Sequence, residues 1–331
     1  MLKILGVSLP AVVLLSGMTV VEPGYAGDVS PVHLPAMLSS KAHSTLLLGM
    51  AHAGQVWLAV GAHGVILRSE DEGRQWQQVH TPTSVLLTAV TLADELHGWA
   101  VGHEGVILAT VDGGRTWVIQ HAAEGDDPHK GNPLLAIHAM NNQVAEAVGA
   151  YGFVLRTEDG GKTWNNLDNA LVNPDQLHFN AITSSATDPA SWFVAGEKGQ
   201  LFHSADAGKT WTKLNSPTDA SLFGVSEPVA GELFAYGLGG GLFRSADAGT
   251  TWTTLTTGRT EGLNDLQGDR HRLVAVGNGG IILTSEDGGI SFTARVLQSR
   301  EKMDAVLPVK GDAYFAAGEG GIHALDLNST P

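Results

Sequence analysis

One eight-residue phrase recurs six times along the 331 residues, and its spacing restricts the chain to a repeat architecture. The copies occupy residues 69–76 (SEDEGRQW), 110–117 (TVDGGRTW), 157–164 (TEDGGKTW), 204–211 (SADAGKTW), 245–252 (SADAGTTW) and 285–292 (SEDGGISF). Their aspartates, Asp71, Asp112, Asp159, Asp206, Asp247 and Asp287, lie 41, 47, 47, 41 and 40 residues apart. That interval belongs to four-stranded units repeated radially.

A second landmark precedes each phrase: a pair of glycines three residues apart. It occurs seven times, at Gly61/Gly64, Gly102/Gly105, Gly149/Gly152, Gly196/Gly199, Gly237/Gly240, Gly277/Gly280 and Gly318/Gly321. Seven units are therefore present, the last without its phrase. In the second unit four short apolar stretches, 86–92, 98–101, 106–109 and 117–120, alternate with Gly, Asp and His, the pattern of antiparallel hairpins. One such sheet cannot hide its faces alone, whereas seven in a ring bury both faces of each. The expected fold is all-β, a seven-bladed β-propeller of four-stranded antiparallel blades. The seventh unit ends after three stretches, so residues 32–35 are expected to pair into the last blade as its fourth, N-terminal strand.

Within each phrase the Ser or Thr ends a strand, and the Asp two residues on accepts backbone N–H bonds in a tight turn. Glycine at the fifth position permits positive φ, and the closing Trp or Phe fills space between sheets. Six acids placed once per blade cannot converge as catalysis requires, so they read as structural. The phrase matches the Asp box, a BNR-type repeat found in sialidases, other glycoside hydrolases and sortilin-like receptors. It specifies a propeller and says little about activity.

Residues 1–26 have the form of a secretory signal peptide: Lys3, an apolar core at 9–15, and Gly24-Tyr25-Ala26 as a small-x-small cleavage site. A single propeller domain is then expected over 27–331, exported to a periplasm, with no further span able to cross a membrane. There is no cysteine, so neither disulfides nor a cysteine-linked lipid anchor is expected. A net charge of −15 disfavours nucleic acid as a partner.

The residues argue against a hydrolase. A sialidase needs an arginine cluster, a Tyr nucleophile and an opposed acid, yet past residue 26 the tyrosines are only Tyr151, Tyr236 and Tyr314, at loop and second-strand positions. Every tryptophan falls at a repeat position, five closing phrases and Trp57, Trp99 and Trp192 in second strands, which leaves no aromatic platform for a glycan. His121, Asp126, Asp127 and His129 lack metal-ligand spacing. No enzyme activity, cofactor or metal is expected. Arg68, Arg156 and Arg244 share one repeat slot, either as a dispersed basic rim or, preferably, as side chains snorkelling from their own blade edges.

The residues inside the glycine pairs project on one face and differ from blade to blade: His63, His103, Glu104, Tyr151, Glu197, Lys198, Asn278 and Glu319. The two longest inter-blade loops, 122–133 and 168–176, rise on the same face and carry Asp126, Asp127 and His129. A monomer binding a protein through this surface is expected, since inserted loops on a rigid ring are common recognition elements.

The seven units, Gly98-Trp99-Ala100-Val101-Gly102, Gly105-Val106-Ile107-Leu108 and the phrase at 110–117 together resemble the photosystem II stability and assembly factor family of cyanobacteria and chloroplasts. The resemblance implies a non-catalytic propeller that helps newly made subunits of a membrane complex assemble on the lumenal side, in a thylakoid lumen or, in a non-photosynthetic bacterium, a periplasm. Cyanobacterial members commonly carry an anchoring cysteine and an arginine patch; this chain has no cysteine and few arginines. The resemblance therefore transfers the scaffold and the general role. A sialidase-like glycoside hydrolase and a ligand-sensing periplasmic propeller are the alternatives.

Overall fold

A computed structural model of the chain describes residues 30–309 and 313–327; the expected signal segment lies outside them. Among the described residues there are seven antiparallel sheets, six of four strands and one of three, each an up-and-down meander. Helical structure among these residues is confined to 3-10 turns.

The inner strands are Leu47–Ala53, Leu87–Leu92, Leu134–Ala139, Phe179–Ser184, Leu222–Val229, Leu263–Gly268 and Met303–Pro308, for blades 1 to 7. Each packs on the next, and that of blade 7 packs on that of blade 1. One apolar cluster fills every gap between neighbours. At the closing seam Ala305 and Ala317 of blade 7 meet Leu47, Trp57 and Leu67 of blade 1, all at most 6 % exposed. The ring is therefore closed by side-chain packing, with both faces of each sheet removed from water.

The expected N-terminal strand is corrected. Residues 31–33 form a 3-10 turn, and Val32 is buried between blades 1 and 2. The Pro31 carbonyl accepts Ser84 N–H at 3.0 Å, and Ala36 N–H donates to Thr81 O at 3.1 Å. Pro31 cannot donate to a ladder, and burial of Val32 beside Val85 and Leu87 holds the segment a blade away from the seam. Blade 7 has three strands among the described residues, and the turn Ala42–Ser44 packs against its last one, Gly321–Leu325.

Each inner strand slips its register by a bulge near its start or opposite it. The second residues of these strands, Leu48, Thr88, Leu135, Asn180, Phe223, Asn264 and Asp304, turn into the central channel. Three of them lace the ring: Thr88 Oγ1 donates to Leu134 O at 2.7 Å, Asn180 Nδ2 to Leu222 O and Asn264 Nδ2 to Met303 O, both at 2.8 Å. Each bond reaches the first inner-strand residue of the next blade. At the seam the equivalent residue is Asp304, whose Oδ1 meets Lys302 Nζ at 2.6 Å and whose buried Oδ2 has no hydrogen-bond partner among the described residues.

Burial raises the Asp304 carboxyl above the ordinary range, against the pull of Lys302. A raised carboxyl stabilises the fold below its unfolded pKa, and that contribution is lost as pH rises through the folded value. Asp304→Asn, which supplies the donor found at Asn180 and Asn264, should raise the melting temperature at pH 8 more than at pH 5. Equal changes at both pH values in thermal unfolding would contradict this account of the seam.

Candidate partner-binding face

The six phrases are braced from within. In the second, Thr110 Oγ1 donates to Asp112 Oδ1 at 2.9 Å and accepts Gly114 N–H at 2.8 Å, while Asp112 accepts Thr116 N–H at 2.9 Å and Thr116 Oγ1 at 2.6 Å. The same Ser/Thr, Asp and glycine bonds recur around Asp71, Asp159, Asp206, Asp247 and Asp287. Hydrogen bonds from Thr163, Thr210 and Thr251 hold Asp159, Asp206 and Asp247 down at about 2. These carboxylates are fixed anions with both oxygens engaged by their own turns.

The arginine slot behaves differently from either expectation. Arg68 and Arg156 are 9 % and 5 % exposed, so they form neither a basic rim nor a snorkelling edge. Arg68 Nε donates to Gly113 O at 2.5 Å and Arg156 Nη1 to Ala207 O at 2.8 Å, in each case the fourth residue of the next blade's phrase. That residue adopts positive φ, 69° at Gly113 and 57° at Ala207. Arg244 instead pairs with Glu232 in its own blade at 2.7 Å. Sequence reading missed these latches because the receiving carbonyl belongs to the backbone, which leaves no mark on residue type.

On the opposite face the glycine pairs have two separate causes. A Cβ on the first glycine would stand 2.0–2.4 Å from the carbonyl of the residue before the inner strand, as at Gly102 against Leu86 O and Gly318 against Lys302 O. The second glycine of each pair has positive φ. The residue just before it is left-handed too, and in blades 1 to 4 it carries a side chain: His63, Glu104, Tyr151 and Lys198, with φ between 48° and 58°. Blades 5 and 6 place Gly239 and Gly279 there. Each non-glycine residue bears a strain of about 1 kcal/mol to present a side chain on this face. His63, His103, Tyr151 and Lys198 are exposed, and Glu104 and Glu197 half-buried.

The long loops converge on the same face. Ala123 N–H donates to Glu104 O at 2.9 Å, tying the first loop to the blade 2 turn. Asp126 is exposed and Asp127 caps the loop by accepting His129 N–H at 2.8 Å. His129 is turned inward: its ring stacks on Phe153 with centroids 4.0 Å apart, and Nε2 meets Asp168 Oδ2 at 2.6 Å. It clasps the two long loops together and presents little surface of its own. Beside it Tyr151, 55 % exposed, lies edge-on to His178 at 4.6 Å, and His178 N–H donates to Glu197 Oε2 at 2.9 Å. His178 belongs to this patch although its repeat position gives no sign of it. Among the described residues no group of three or more His, Asp or Glu side chains could hold a metal ion.

No curated protein sequence matches the chain. A solved structure titled "YCF48 bound to D1 peptide" is similar to it with a TM-score of 0.66 and 23 % identity, over 87 % of this chain and 97 % of that one. YCF48 from Cyanidioschyzon merolae gives a TM-score of 0.65 at 17 % identity, over 87 % and 96 % of the two chains. A xyloglucanase from Xanthomonas campestris gives 0.65 at 15 % identity, over 85 % of this chain and 52 % of its own. These likenesses agree on the propeller fold. The family profile described as photosynthesis system II assembly factor YCF48 matches residues 69–168 and 131–271. The chain belongs to the YCF48 family of photosystem II assembly factor-like propellers.

Proposed function

We propose that this protein is a non-catalytic, exported interaction propeller that assists or stabilises a membrane protein complex by holding one of its subunits on the glycine-pair face of blades 2 to 4. The observation that carries this reading is the concentration of relief there: both long loops, clasped by His129 and Asp168, beside the strained, side-chain-bearing turns of Glu104, Tyr151 and Lys198. Strained backbone kept where glycine would relieve it is an established mark of functional surfaces. The similar structure with a bound D1 peptide supports a protein subunit as the partner. The signal-like residues 1–26 support export to a periplasm or a thylakoid lumen.

The likeness to a xyloglucanase concerns the fold, and five of the six phrase aspartates bind their own turns through both oxygens, Asp71 through Oδ1. Replacing 122–133 and 168–176 by short turns should abolish capture of the complex from detergent-solubilised membranes of the source organism. Because loop removal also breaks the His129 clasp, a second variant, Asp126→Lys with Tyr151→Ala, keeps the loops and should weaken capture with the melting temperature unchanged. Undiminished capture by both variants would rule the surface out.

A further inference from the structure

The glycine-pair face continues onto blade 1, where a second feature adjoins the first long loop through His33 Nε2 and Glu124 Oε2, 2.9 Å apart. Residues 34–41 cross the top of that blade as an irregular strap. Gln78 holds it in place of a neighbouring strand: Oε1 accepts Ser39 N–H at 2.8 Å and Nε2 donates to Met37 O at 3.0 Å. Between strap and blade lies a groove of about 530 Å³ lined by Leu34, Pro35, Met37, Lys41, Ala42 and Val65, within the size range of ligand-binding clefts.

Three features make this groove unusual. Leu34, Met37 and Leu38 are 42, 85 and 53 % exposed, and among the described residues no other five-residue stretch holds two exposed large apolar side chains. Clustered apolar exposure marks contact sites, whereas scattered single residues do not. Next, Lys41 is the one Lys, Arg, Asp or Glu on the groove wall, beside the imidazole of His63, and among the described residues it has no carboxylate within ion-pair distance, in a chain of net charge −15. Finally, the amides of Met37 and Leu38 have no hydrogen-bond partner among the described residues, so the strap retains main-chain donors for an added segment.

We propose that this groove receives an extended polypeptide segment of the partner, seating a large apolar side chain against Met37 and Val65 with a neighbouring carboxylate on Lys41. Main-chain bonding to the free strap amides gives affinity, and the apolar floor with its single cation gives specificity, as in strand addition. A lipid tail would fill the apolar floor but leave the amide donors unmet, which favours the polypeptide. The inference rests on the reading of this face as a partner surface, but its own variants, Lys41→Glu and Met37→Glu, leave both long loops in place, so their failure is distinguishable from that of the loop variants.

The test is selection of a random octapeptide display library on the full-length protein, followed by fluorescence anisotropy with the enriched peptides made synthetically. Enrichment of a large apolar residue beside Asp or Glu is expected, with binding at least tenfold weaker for Lys41→Glu and for Met37→Glu. Exchanging the peptide acid for Lys should restore binding to Lys41→Glu, a reciprocity that misfolding cannot imitate. No enrichment, equal binding to wild type and Lys41→Glu, or displacement of the peptides by phosphatidylglycerol vesicles would overturn the proposal.

Discussion

Arg156→Ala should lower stability by about 3–5 kcal/mol, the usual consequence of stranding one member of a buried ion pair. Arg156 Nη1 lies 3.0 Å from Glu146 Oε2, and the Glu146 side chain is fully buried. The same guanidinium holds Ala207 O of blade 4 and stands 5.6 Å over the Trp192 ring. Removing it cuts the latch between blades 3 and 4 and leaves a carboxyl in an apolar gap. In a chain of this size that corresponds to a fall of roughly 10 °C in melting temperature.

The deficit should also depend on pH. Burial raises Glu146 to about 7 even with Arg156 opposing the shift. Its stabilising contribution is therefore present below the ordinary carboxyl pKa and is lost as pH rises through about 7. Without Arg156 nothing offsets the anion, so the variant should lose more at pH 8 than at pH 6. Arg156→Met combined with Glu146→Leu should recover most of the loss, because a well-packed apolar pair commonly replaces a buried ion pair at little cost. Thermal unfolding of the wild type and the two variants at both pH values checks this.

Gly321→Val should be about as damaging, at roughly 2–5 kcal/mol from combined backbone strain and overpacking. Gly321 has φ of +101°, and a Cβ there would sit 1.7 Å from His43 O. The substitution therefore pushes the Ala42–Ser44 turn off the last strand of blade 7, beside the seam between blades 7 and 1. Gly258 is the control: its φ is +66° and nothing lies within 4 Å, so Gly258→Ala should cost only about 1 kcal/mol. Comparable losses at both sites would show that the seam contributes nothing particular.

The repeat made the blade count and the roles of Asp112 and its equivalents legible, because the same short-range bonds must be rebuilt in every unit from the same residue types. Ring closure was legible as a requirement but not as a mechanism. Residues 32–35 look like a strand by composition, yet the chain spends Val32 on the gap between blades 1 and 2 and closes by packing Ala305 and Ala317 against Trp57 and Leu67. The inter-blade latches were hidden for a related reason. Arg68 and Arg156 reach backbone carbonyls turned outward by left-handed residues, and neither the carbonyl nor its direction is written in side-chain identity.

The candidate face divides in the same way. Exposure of His63, His103, Tyr151 and Lys198 follows from their place between two glycines, which the periodic sequence displays. His129 has the composition of a surface loop residue, but Phe153 offers it a ring to stack on and Asp168 a hydrogen-bond partner. Those contacts join residues far apart in sequence on two loops that obey no repeat. The bulge residues lining the channel, from Leu48 to Asp304, were likewise invisible, because a register slip changes the facing of one residue without altering the apolar pattern around it.

In the proposed function the phrases brace one face of the ring while the glycine-pair face recognises a partner. Hydrogen–deuterium exchange of the full chain, alone and with the detergent-solubilised complex it captures, tests this most directly. Protection of the loops at 122–133 and 168–176, of the turns at 103–105, 150–152 and 197–199 and of the blade 1 strap at 34–41, with the phrases unprotected, is the predicted result. Protection of the phrases at 110–117, 157–164 and 204–211 with those loops unchanged would contradict it.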